Sequence, residues 1–118
     1  MDYIKLSEKI AIKLNELGAK KIEIYDVSKK TNLGKVFIFS SVVGTEIAKN
    51  IALELEDFLR QENVELEHID GQIKGEWIIL DFKDIIVHIF QNEIRVKYNL
   101  EKLWKDSKNL IKVVFKSE

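Results

Sequence analysis

The 118-residue chain has no cysteine and no proline, and only five glycines. Without cysteine there can be no disulfide framework, thiolate metal site or cysteine nucleophile. No proline, internal repeat or low-complexity stretch marks a boundary inside the chain. The glycines form neither GxxxxGK nor GxGxxG, so the Gly-rich loops that cradle phosphates are missing; Gly44-Thr45 at the mouth of a helix offers only a weak anion site. Long hydrophobic runs are also lacking: Trp77-Ile78-Ile79-Leu80 is far shorter than the ~20 residues that span a bilayer. The start Met1-Asp2-Tyr3-Ile4-Lys5 has no signal-peptide layout, so a cytoplasmic protein without membrane contact is expected. Nor is one sign of charge in excess: 19 basic against 20 acidic residues give a net charge of -1. That balance argues against a module holding nucleic acid by phosphate neutralisation alone.

A composition of 46% hydrophobic and 33% charged residues fits a single globular domain, which at this length buries about two-thirds of the surface its unfolded chain exposes. The charges are unevenly spread. Glu54, Glu56, Asp57, Glu62, Glu65, Glu67, Asp70 and Glu76 stand against only Arg60 and Lys74, whereas Lys97 to Lys116 is lysine-rich. The acidic stretch suits a basic partner, although a solvated helix face accounts for it equally simply.

Leu6, Ile10, Leu14 and Leu17 recur at helical spacing before Gly18, predicting a helix over residues 3–17 with a glycine at its end. Strands follow at 21–27 and 36–41, separated by a polar loop. Ile47, Ile51, Leu55, Phe58 and Leu59 line one face of a second helix that ends near Glu62, with Thr45 as its expected N-cap. Val64 to Ile69 alternates as a strand, and Asp70-Gly71 leads into a hairpin of Glu76–Phe82 and Asp84–Phe90. Asn99 opens a short helical turn with Leu100, Leu103 and Trp104 on one face, and Leu110 to Phe115 suits a terminal strand or a docked tail. The order α-β-β-α-β-β-β plus a short C-terminal helix predicts a mixed α/β (α+β) fold, a five-stranded mixed sheet with two helices on one face.

Strand alternation sorts the hairpin into two faces. Ile78, Leu80, Phe82, Ile85, Val87 and Ile89 suit the helix-covered core. Trp77, Ile79 and Asp81, with Asp84, Ile86, His88 and Phe90, point to the other side, where two helices alone leave an aromatic-aliphatic patch of the kind that usually marks an interface. Catalytic templates fit poorly. Asp81 and Asp84 are three apart across a turn rather than two apart on one strand face. His68 and His88 lie on different strands with no third nitrogen or sulfur ligand, so no zinc site is expected. Ser40 and Ser41 have no histidine or lysine fixed beside them by the sequence.

Asp70-Gly71, the run Gly75-Glu76-Trp77-Ile78-Ile79-Leu80-Asp81-Phe82-Lys83-Asp84-Ile85-Ile86-Val87-His88-Ile89-Phe90, and Glu93, Arg95 and Tyr98-Asn99-Leu100-Glu101-Lys102-Leu103-Trp104 closely resemble the ribosomal silencing factor RsfS, or Iojap, family. Asp26-Val27 and Asn32-Leu33 extend the resemblance to residues 3–106. The chain departs from the family pattern at Lys35-Val36, Val42-Val43-Gly44 and Thr45-Glu46-Ile47.

The resemblance implies an RsfS-like domain over 1–106 with a tail at 107–118, and a nucleotidyltransferase-like fold without that fold's metal-binding acids. It further implies a non-enzymatic factor with no cofactor. Such a factor binds the large ribosomal subunit through ribosomal protein L-fourteen, blocks small-subunit joining and represses translation when nutrients are scarce. Free members are expected to form homodimers, and contact with ribosomal RNA is at most peripheral. The candidate partner-binding residues, for the ribosomal protein or a second copy, are Trp77, Ile79, Asp81, Asp84, Ile86, His88, Phe90, Tyr98 and Trp104. A residual nucleotidyltransferase-like enzyme and a purely self-associating domain remain the alternatives.

Overall fold

The computed structural model describes residues 2–104 and 108–109. Helix α1, Tyr3–Glu16, starts where Asp2 Oδ1 accepts from the amides of Ile4 and Lys5, each at 3.1 Å. It ends with Gly18 at φ 104°, a left-handed value that a side chain would oppose; the amides of Gly18 and Ala19 close on Asn15 O and Leu14 O. Strands β1, Lys20–Asp26, and β2, Val36–Val42, form an antiparallel pair.

Helix α2, Thr45–Gln61, is capped by Gly44, not by Thr45. Gly44 sits at φ 107°, which threonine would adopt only under strain, so Thr45 becomes the first helical residue. Its inward stripe is Ala48, Ile51, Ala52, Leu55 and Leu59; Ile47, expected in that stripe, is 51% exposed, and Phe58 lies at its margin.

The third strand is shorter than expected. Asn63, at φ 64°, ends α2 as glycine ends α1, and the Val64 amide is spent on Leu59 O at 2.8 Å. With that donor committed to the helix end, strand β3 is confined to His68–Asp70. The hairpin is present as β4, Trp77–Asp81, and β5, Ile85–Gln91. Two further elements lie beyond it. Helix α3, Asn92–Tyr98, was not legible as a helix, and a 3-10 turn, Leu100–Trp104, follows where a helical turn was expected. A two-residue strand β6, Lys108–Asn109, pairs with β1 and adds a sixth strand to the five expected. The proposed tail strand at 110–115 lies outside the described residues.

The sheet order is β3-β4-β5-β2-β1-β6, mixed because β2 and β5 are parallel while every other pair is antiparallel. Both central strands are buried along their whole length, which explains why each reads as a continuous apolar run rather than an alternation. Helices α1 and α2 cover one face over Ile24, Ile38, Ile78, Leu80, Val87 and Ile89. The opposite face carries Tyr25, Phe37, Phe39, Ile86 and Phe90, with Trp77, Ile79, Ile94, Leu100 and Trp104 packed against them. No helix among the described residues is long and apolar enough to cross a membrane.

Candidate partner-binding site

The hairpin register sets the site. Trp77 is opposite Phe90, Ile79 opposite His88 and Asp81 opposite Ile86, all on the aromatic face. Across the parallel pair His88 meets Phe39. Its ring stacks on Phe39 at 4.9 Å and lies nearly parallel to Phe90, with 5.7 Å between centroids and 9° between planes. The Trp77 indole stacks on Phe90 at 5.1 Å, and Tyr98 leans on it at 5.3 Å. Trp104 meets Phe37 edge-on at 5.0 Å.

The open face expected over this hairpin is corrected for three residues. Phe90 is fully buried, and Ile86 and His88 are buried as well. Neighbouring rings cover them, and Ile94, Leu100 and Trp104, from the elements after β5, close over the same layer. These three form the floor of the site. What reaches its surface is the half-buried Trp77, Ile79 and Trp104 and the 53%-exposed Tyr98.

One hydrogen bond crosses this layer: Trp77 Nε1–H donates to His88 Nδ1 at 3.1 Å. Burial lowers the His88 pKa from 6.5 to about 4, because a charged imidazolium would lose its hydration among the rings. The neutral ring with Nδ1 as acceptor therefore carries its proton on Nε2.

Glycine shapes the turn beside Trp77. A Cβ on Gly71 would lie 1.9 Å from Trp77 O, and Gly71 has φ 78°, so no side chain fits there. A cleft of about 430 Å³ opens between this turn and α3, lined by Ile69, Gly71, Ile73, Trp77, Ile94 and Tyr98 among others. The buried Gln91 amide ties the surrounding loops together: Nε2 donates to Gly44 O and Gly75 O, each at 3.1 Å, while Oε1 accepts from Gly44 N at 2.9 Å. Those bonds use the Gly44 amide that the sequence had offered as part of an anion site. Arg95 pins α3 to the sheet, donating to Lys21 O at 2.6 Å and Ser41 Oγ at 2.9 Å and pairing with Glu23 at 2.8 Å.

The remaining candidates lie elsewhere or serve the fold. Asp81 Oδ1 accepts from the Lys83 amide at 2.8 Å and shapes the hairpin turn, while the Asp84 backbone carbonyl accepts from the amides of Lys35 and Val36 and ties that turn to the start of β2, at the end away from Trp77. Ser40 Oγ donates to His88 O. His68 meets Asp70 at 3.1 Å on the exposed edge strand. Among the described residues no group of three His, Asp or Glu is placed to hold a metal ion.

The acidic stretch divides. Glu54, Glu56 and Asp57 belong to α2, over the opposite sheet face, where Arg60 pairs with Glu56 and Asp57; only Asp70 and Glu76 line the cleft. Reasoning from sequence missed Ile94 and Gln91, and gave Arg95 no role beyond its place in the motif. The signal for the first was the i, i+4 pair of Ile94 and Tyr98 just before Asn99, which ends α3 in the left-handed conformation.

A family model described as ribosomal silencing factor during starvation matches residues 2–117. A curated ribosomal silencing factor RsfS from Chromobacterium violaceum is 30% identical over 101 residues, spanning 85% of this chain and 83% of its own length. Another, from Halalkalibacterium halodurans, is 37% identical over 57 residues, so the match spans about half the length of that relative: 48% of this chain and 49% of the relative. Among solved structures, a Chromobacterium violaceum protein superposes with a TM-score of 0.85 at 27% identity, covering 89% of this chain and 88% of its own.

Proposed function

This chain belongs to the ribosomal silencing factor family, and from that premise we propose that it binds the large ribosomal subunit through ribosomal protein L-fourteen and sterically blocks small-subunit joining. The repression acts in the cytoplasm under nutrient limitation. The observation that carries this reading is the aromatic face: Trp77, Ile79, Tyr98 and Trp104 reach the surface over a buried floor of His88 and Phe90. Apolar residues clustered beside a cleft suit a protein partner, in which a few buried aromatics supply most of the affinity. A rigid floor also spares the ordering cost that a loose anchor would incur on binding.

The same surface pairs with a second copy when the protein is free, so dimerisation and ribosome binding compete for it. Ribosomal RNA contributes at most at the periphery, since the net charge of -1 provides little phosphate neutralisation. The decisive experiment is gradient sedimentation of purified subunits with and without the protein. Co-migration with the large subunit and a smaller yield of joined ribosomes are expected. Saturating binding with undiminished joining would refute the steric mechanism, and no co-migration would refute the partner.

A further inference from the structure

We propose that His88 is a positioning residue for the partner surface: by accepting the Trp77 indole proton it fixes the ring and uses up the ring's only donor, so that a partner meets Trp77 as an apolar surface. This rests on the function proposed above for the aromatic face. A half-buried indole has two needs, a partner for Nε1–H and a fixed orientation. Both are met inside the chain. Nε1–H donates to His88 Nδ1 at 3.1 Å, and Phe90 and Tyr98 contact the ring at 5.1 and 5.3 Å.

His88 can act in this way because its own position is fixed. Its ring stacks on Phe39 at 4.9 Å and on Phe90 at 5.7 Å, Phe37 meets it edge-on at 5.9 Å, and its backbone carbonyl accepts from Ser40 Oγ. An indole whose donor was left unsatisfied would, once covered by a partner, forfeit its hydrogen bond to water, unless the partner brought an acceptor. With His88 as the internal acceptor, no such group is needed. Recognition at Trp77 then works through apolar contact with the part of the ring left exposed, with an aliphatic side chain rather than a carbonyl or carboxylate as its complement.

The test uses the full-length protein and three variants, His88→Leu, His88→Asn and Trp77→Phe. Leucine keeps apolar bulk and removes the acceptor, whereas the Asn Oδ1 stands close to the position of Nδ1. Trp77→Phe assigns the indole resonance in ¹⁵N-labelled protein. In the wild type we expect slow exchange of that indole proton with water and a through-bond nitrogen–nitrogen coupling to His88. In His88→Leu the coupling disappears, exchange becomes fast, and affinity for large subunits falls about tenfold, the usual scale for one buried donor left unsatisfied. His88→Asn restores slow exchange and most of the affinity.

A wild-type indole proton that exchanges freely would overturn the positioning role without any binding measurement. So would a His88→Leu protein with a released indole and unchanged affinity, or an Asn variant no better than the Leu variant. A wild type that ignores the subunits refutes the function proposed above, and the indole exchange then decides the positioning role by itself.

Discussion

Mild acid should destabilise this protein through one buried imidazole. The His88 pKa is lowered by burial from 6.5 to about 4, so between those values the unfolded chain binds a proton at this position that the native chain does not. Stability rises with pH wherever the unfolded state holds more protons, so this contribution is complete above about pH 6.5 and is lost as pH falls towards 4. At about 1.4 kcal/mol per pKa unit, the shift amounts to about 3 kcal/mol over the whole window and about 2 kcal/mol by pH 5. That is a large fraction of the stability expected of a domain this size.

Carboxylates titrate in the same range, so the useful quantity is the difference between the wild type and His88→Asn, in which the site cannot take up a proton. The exposed His68 is present in both proteins and cancels. Urea midpoints measured at about pH 7.5, 6, 5 and 4.5 should converge as pH falls, because the wild type loses stability that the variant never had. Parallel curves, with a constant difference across the range, would show that His88 is not held neutral by burial and would refute the reasoning.

Other substitutions test other links in the structure. Trp77→Ala should weaken large-subunit binding by about 2 kcal/mol, roughly thirtyfold, and should also lower the melting temperature, since it uncovers Phe90 and leaves His88 Nδ1 without its donor; a folded variant with unchanged affinity would remove Trp77 from the interface. Gly71→Ala should cost about 2 kcal/mol or more in urea unfolding, since its Cβ would meet Trp77 O at 1.9 Å in a backbone conformation at φ 78°. Arg95→Leu should cost about 2 kcal/mol by removing the donors to Lys21 O and Ser41 Oγ and the partner of the partly exposed Glu23, although Ser41 keeps Asn92 and Glu23 keeps Tyr25, and amide exchange should show α3 loosened before the central strands. Glu54→Lys, on the far side of the sheet, should leave subunit binding within about twofold at physiological salt, where charges beyond ~8 Å are screened.

The two faces of the hairpin could be read from alternation because a strand's side-chain period of two depends on nothing beyond the strand itself. Ile78, Leu80, Val87 and Ile89 do lie under the helices, with Trp77, Ile79, Ile86, His88 and Phe90 opposite. The covering of that second face was not legible. Helix α3 spans only seven residues, too few for a periodic pattern, and Arg95 and Gln91 act through contacts with residues far along the chain. The end of α2 misled for a related reason. Val64 to Glu67 alternates like a strand, yet Asn63 in the left-handed conformation commits the Val64 amide to the helix. Thr45 is a good capping residue one place too late, because Gln91, distant in sequence, decides how the Gly44 loop is held.

The parallel pairing of β2 with β5 bears on how the molecule assembles. The Trp77–His88 contact is local, closing within a hairpin, but the Ser40–His88 bond spans 48 residues of chain, and the stack of His88 on Phe39 belongs to the same long-range pairing. Closing so long a segment costs chain entropy before any contact across it is gained, which places such pairings among the slow events of folding. A hairpin formed ahead of that closure would hold its indole against His88 and Phe90 while those two rings still lacked Phe39 beside them. The aromatic layer is thus packed on both sides of His88 only once β2 has joined β5, so its rigidity is a property of the completed sheet and not of the hairpin alone.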